Sequence, residues 1–250
     1  MRALISLLLF SACAGQESVS SSRIVGGKLE QSNSLVAEHT LLFTARSLQG
    51  LHGCTATILD SSHALTAKHC LAGTDAVPDL VLAFGIQWSE EIPMRPVTAM
   101  HVHPSKDVAI VGFTGGLPKP YRPVSFATLV HTPIGTPLIQ AGYGKTSYES
   151  DGRERGILRS VKSYMSKFNK SQGTYDTFSP QKTICGGDSG GPDFVLVQGE
   201  LRQIGVHIGG NCSSSSYNTD VRPLISWMRS TGAKPQVDTL EAVADQIIPF

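Results

Sequence analysis

The stretch Cys185-Gly186-Gly187-Asp188-Ser189-Gly190-Gly191-Pro192 sets a serine on a turn with glycines on both sides and an acid just before it. Glycine takes positive φ without steric cost and lets the backbone approach a ligand closely, so amide hydrogens can converge where a side chain would otherwise stand. Convergent amides of this kind stabilise an oxyanion. A glycine turn is also a common chain reversal, so its chemistry depends on what the rest of the chain supplies.

Three further segments supply it. Leu65-Thr66-Ala67-Lys68-His69-Cys70 places a histidine beside a cysteine, Ser105-Lys106-Asp107-Val108-Ala109-Ile110 places an acid at the mouth of an apolar run, and Arg23-Ile24-Val25-Gly26-Gly27 places a basic residue before a small apolar start. In this order and spacing, over roughly Ile24 to Arg229, the chain resembles the trypsin-like, chymotrypsin-fold serine proteases.

The resemblance implies a catalytic triad of His69, Asp107 and Ser189, with the amides of Gly187 and Ser189 as oxyanion hole. It implies activation by cleavage after Arg23, which frees the Ile24 ammonium to pair with the Asp188 carboxylate. It also implies disulfides Cys54–Cys70, across the loop carrying His69, and Cys185–Cys212, across the substrate pocket. In the chain-entropy picture the first bridge stabilises by about 3 kcal/mol. No metal or organic cofactor is required by this chemistry.

Length and composition are compatible with that reading. A chain of 250 residues suits one all-β unit, and its 25 glycines and 14 prolines suit short strands and tight turns. Net charge is +1, from 21 basic and 20 acidic residues, which gives no electrostatic footprint for nucleic acid.

Ahead of the domain, residues 1–12 read as an export signal, with Met1-Arg2 as positive start and Ala3 to Phe10 as an apolar run too short to span a bilayer. Leu9-Phe10-Ser11-Ala12-Cys13 resembles the lipobox of bacterial lipoproteins, with phenylalanine where leucine is usual. Five cysteines leave one over in an exported chain, and acylation of Cys13 would account for it; the alternative is that Cys13 is discarded within an ordinary signal peptide. Residues 13–23, rich in Ser, Gln and Gly, read as a flexible tether. The expected location is the cell envelope, as a lipoprotein, or the exterior, as a secreted protein. Cleavage after Arg23 would separate the domain from the lipid anchor.

Within the domain, residues 24–233, the pattern predicts strands. Leu41 to Thr44, Cys54 to Leu59, His63 to Ala67, Leu80 to Ile86, Pro96 to Val102 and Val108 to Phe113 are short apolar or alternating runs bounded by Gly, Pro, Ser or Asp. A second series follows the Pro-rich link from Leu117 to Pro123: Pro137 to Ala141, Ile157 to Ser163, Asp193 to Val197, Gln203 to Ile208 and Tyr217 to Val221. The expected fold is all-β, with two six-stranded antiparallel barrels over about 24–116 and 124–222 and the active site in the cleft between them. Helix is expected only near Leu224 to Ser230 and within Thr239 to Ile248. Residues 234–250 form an extension of unassigned role.

Substrate choice departs from trypsin. Where members that cut after Lys or Arg carry an aspartate, six residues before the nucleophile, this chain has Thr183, followed by Ile184. A basic preference is therefore not expected, and a separate protease would have to cut at Arg23. His207 stands near the pocket wall, with Gly209 and Ser216 as neighbours. Ile204 to Gly210 also resembles the glutamyl endopeptidases, whose histidine in this stretch binds an acidic side chain. A one-residue register difference turns His207 either to the pocket, as a glutamate-binding group, or to Asp107, as a replacement for the serine that bonds the triad acid.

The substrate class is protein or peptide, and a monomer is the default. The rival reading is a catalytically silent protease homologue serving as a surface binding module. A third disulfide frequent in the family is missing, so Ser163 to Lys182 is expected to be loose.

Overall fold

The computed structural model describes Ile24 and residues 26–47, 50–72, 80–146 and 155–238. Cys13, Arg23, the tether and the helix expected in Thr239 to Ile248 lie outside the described residues.

Strands β2 (Thr40–Ser47), β3 (Gly50–Ile58), β4 (His63–Thr66), β5 (Leu80–Ala83), β6 (Met94–Val102) and β7 (Ala109–Phe113) close a barrel in the order β2-β3-β4-β7-β6-β5. All neighbours are antiparallel. Strand β7 is buried on both faces, which is why its sequence, Ala-Ile-Val-Gly-Phe, is apolar without alternation.

After a two-residue strand, β8 (Ser125–Phe126), the second barrel takes β9 (Pro137–Gly142), β10 (Arg159–Asn169), β11 (Thr174–Phe178), β12 (Pro192–Val197), β13 (Glu200–Gly210) and β14 (Ser215–Asp220). They run β12-β9-β10-β11-β14-β13, and pairing of β12 with β13 closes the ring. The expected pair of six-stranded antiparallel barrels is therefore present, with a short helix, Ile225–Ser230, near the end of the domain.

Three details differ from the sequence expectation. Strand β1 (Lys28–Leu29), counted there with the first barrel, pairs with β10 of the second, so the N-terminal segment crosses between them. A five-residue helix, Leu35–His39, starts at Ser34, whose Oγ accepts the Ala37 amide at 3.1 Å; one turn is too short for helical periodicity to register. The stretch expected to be loose carries the end of β10 and all of β11, paired with each other from Tyr164↔Phe178 to Asn169↔Thr174. Neighbouring strands on both sides fix it without a disulfide.

One apolar core runs through both barrels, from Phe43, Leu65 and Ile110 in the first to Phe194 and Val206 in the second. Each such side chain stabilises by roughly 1.5–3 kcal/mol when fully buried. This shared core holds the two barrels against each other, and with them the edges of the cleft.

Candidate active site

His69 sits in a 3-10 turn, Lys68–Leu71, directly after β4. The disulfide between Cys54 on β3 and Cys70 clamps that turn to the barrel. Asp107 stands just before β7, in a loop shaped by His103, whose Nδ1 accepts the amides of Ser105 at 3.2 Å and Lys106 at 3.0 Å. The two loops meet through a two-point contact. The His69 amide donates to Asp107 Oδ1 at 2.9 Å, and His69 Nδ1 donates to Oδ2 at 2.7 Å. Holding hydrogen on Nδ1 leaves Nε2 as the basic nitrogen, and Nε2 has no hydrogen-bond partner among the described residues.

Partial burial pushes the Asp107 carboxyl up, but the His69 side chain, the His69 amide and the Lys68 amide outweigh it and hold the group below the usual carboxylate range. It is therefore an anion at neutral pH, suited to stabilising a charged imidazole. A cleft of about 540 Å³ opens beside the pair, lined by Lys68, His69, Leu71, Pro104 and Asp107 among others.

From the second barrel, the serine turn packs onto the histidine loop. The carbonyl of Ser189 accepts the Thr55 amide at 2.8 Å and faces Cys70 Sγ at 3.6 Å. Ser189 lies partly exposed, and no hydrogen bond joins its Oγ to His69 among the described residues. Gly187 has φ +104°, and a Cβ there would stand 2.9 Å from the Gly144 Cα, so only glycine fits. The amides of Gly187 and Ser189 donate to nothing among the described residues, and two unspent donors on a rigid turn can receive an oxyanion.

Asp188 points the other way, into the protein, and is completely buried. Its Oδ1 accepts the Gly144 amide at 2.7 Å and its Oδ2 the Cys185 amide at 2.8 Å. Burial nevertheless pushes its pKa up, against the opposing effect of those amides and of the His207 and Arg159 charges. Ile24 is also fully buried, at φ +44°, with its carbonyl accepting the Gly27 amide. Gly26, two residues on, packs on Lys182 and Gln181, just before Thr183.

The pocket residues fall on both sides of the second disulfide, Cys185–Cys212. Thr183 and Ile184 are buried, Gly209 is partly exposed, and Ser216 is fully buried, bonded by Gln140 Nε2 at 2.9 Å and by Thr177 Oγ1 at 2.6 Å. Thr183 Oγ1 has no hydrogen-bond partner among the described residues.

Neither ring nitrogen of His207 reaches Asp107. The fully buried ring sets Nε2 at 2.8 Å from Asp193 Oδ1 and Nδ1 at 3.2 Å from the Asp188 carbonyl, both in the second barrel. The proposed substitute for the serine on the triad acid is thereby corrected. The register of β13 shifts between His207 and Gly209, so counting back along the strand does not fix which way each residue points.

Asp193 is the residue that sequence reasoning missed. It also accepts from Gln140 Nε2 at 2.7 Å and Tyr175 OH at 2.6 Å, and Asn218 in its satisfied orientation donates to it at 3.2 Å. The available signal was an acid inside the apolar strand Pro-Asp-Phe-Val-Leu-Val. Among the described residues the tightest grouping of metal-ligating side chains is Cys54, His69 and Cys70, and the disulfide takes both sulfurs.

Two antiparallel barrels, a histidine–aspartate pair on one and a glycine-lined serine turn on the other agree with comparison against known families. Residues 24–228 match the trypsin family. That match spans most of the sequence, and the chain belongs to the trypsin family of serine proteases.

Proposed function

We propose that the chain is a serine endopeptidase acting through His69, Asp107 and Ser189, synthesised as a precursor and activated by cleavage after Arg23. The observation that carries this is the two-point Asp107–His69 contact, on a loop against which the Ser189 carbonyl packs at Cys70. A serine hydroxyl is a poor nucleophile at neutral pH. His69 Nε2 takes its proton as Oγ attacks a peptide carbonyl, while Asp107 holds the ring and stabilises the imidazolium. The Gly187 and Ser189 amides receive the tetrahedral oxyanion. His69 then protonates the leaving amine, and the acyl-enzyme is hydrolysed by water through the same steps.

Activation is supported by Asp188. Burial raises the pKa of the Asp188 carboxylate despite the His207 and Arg159 charges, so a closer cation would stabilise it, and cutting at Arg23 would create an ammonium at the buried Ile24. Because Thr183 replaces an acid in the pocket, cleavage after Lys or Arg is not expected, and a separate protease performs the activating cut. Acylated Cys13 would hold the precursor at the cell envelope, and the cut would release the domain as a monomer.

A fluorophosphonate probe on protein cleaved at Arg23 tests this reading. Labelling of Ser189, lost in Ser189→Ala, is expected. An activated protein that takes no label would instead be a silent homologue used as a binding module.

A further inference from the structure

The loop that carries Asp107 is held by a side chain outside the Asp107–His69 pair. His103, directly after β6, ties the loop twice: its amide donates to the Val108 carbonyl at 3.0 Å, and its Nδ1 accepts the amides of Ser105 at 3.2 Å and Lys106 at 3.0 Å. This is the pattern of an Asx turn, with an imidazole nitrogen where asparagine would place its oxygen. Asp107 follows Lys106 directly, so the two amides on Nδ1 set the direction from which the chain enters it. Its carboxylate then meets His69 at two points.

A nitrogen that accepts two N–H groups carries no hydrogen, so the ring is neutral, with its hydrogen on Nε2. From the helix Ile225–Ser230, the uncharged Trp227 packs on it edge-to-face, with ring centroids 4.8 Å apart. Burial first, then the charges of Lys106 on the same loop and Lys68 on the histidine turn, hold its pKa below the ordinary histidine value. No carboxylate acts against them, since Asp107 turns its own to His69. A proton added at Nδ1 would set a third N–H against the two amides, and both bonds would be lost.

Building on the peptidase reading above, we propose that His103 is a positioning residue for Asp107 that works only as a neutral acceptor, so that protonation of its ring releases the loop and misaligns His69. Activity is then lost in acid through two histidines. His69 fails as the base, and His103 fails as the support of its partner.

The test uses the full chain cleaved at Arg23 and follows the second-order rate of Ser189 labelling by the fluorophosphonate from about pH 8 to about pH 5, with thermal melts at each pH to confirm folding. The wild-type rate should fall on the acid side more steeply than one proton allows. His103→Phe keeps a ring against Trp227 but removes the acceptor, and should lower the rate at neutral pH by about tenfold or more. His103→Asn returns an acceptor oxygen that does not titrate, and should recover the rate to within about threefold of wild type with an acid limb of one proton. The wild-type and His103→Asn profiles decide the matter should His103→Phe not fold. A one-proton limb in the wild type, a steep limb that persists in His103→Asn, or a His103→Phe protein labelled at the wild-type rate would each overturn the proposal. A wild-type protein that takes no label fails earlier, at the peptidase reading, and takes this proposal with it.

Discussion

Two aspartate–histidine pairs, Asp107–His69 at the first barrel and Asp193–His207 in the second, make contacts nearly equal in length: 2.7 Å and 2.8 Å. Their surroundings differ. The first pair has side chains 33% and 42% exposed, and the far nitrogen of its histidine has no hydrogen-bond partner among the described residues; the second is 0% exposed on both, and its far nitrogen is spent on the Asp188 carbonyl. The contact itself therefore does not make a catalytic base. On the function proposed above an open second nitrogen does, whereas a closed one makes the same two residues part of the second barrel's interior.

The largest effect that would test this contrast is on turnover. His69→Ala should lower kcat/KM by about 10⁴-fold or more while leaving the thermal midpoint nearly unchanged, checked by peptide hydrolysis and calorimetry on the same preparation. A comparable loss of stability would mean that the pair in the cleft is structural too.

Next in size is the opposite outcome for the buried pair. Asp193→Ala removes the acceptor of His207, Gln140 and Tyr175 at once, and urea unfolding should show a loss of about 3–5 kcal/mol. Asp107→Asn, at an exposed pair, should cost no more than about 1 kcal/mol in the same assay. Equal losses would erase the distinction.

How far each pair was legible in the sequence follows the same division. His69, Asp107 and the serine turn stand in short segments where neighbouring residues announce them, a cysteine beside one and glycines around another. The strands were readable where one face is apolar and the other polar. The cluster around Asp193 is made of residues from five different strands, Gln140, Tyr175, Asp193, His207 and Asn218, and no local pattern links them. For the same reason β11 was missed: in Thr-Tyr-Asp-Thr-Phe the inward side chains are Tyr175 and Thr177, polar groups that serve this cluster, so the strand shows no apolar face.

The smallest effect concerns pH. Because the Asp107 pKa is lowered on folding, its contribution to stability is present above the ordinary carboxylate range and is lost as pH falls through the lowered value. The stability difference between the wild type and Asp107→Asn should thus be constant near neutrality and close only in strong acid, as thermal melts across pH would show. A difference that closed near pH 6 instead would assign the effect to a histidine.

Strand β1 has a consequence for the terminus that cleavage after Arg23 would create at Ile24. With Lys28 and Leu29 pinned to Ser160 and Arg159, only residues 24–27 are left as a leash, about 14 Å when fully extended. A charged end on so short a leash is present at its target at an effective concentration in the millimolar range or above. A free dipeptide beginning with isoleucine would have to reach such levels before it could stand in for the chain's own end.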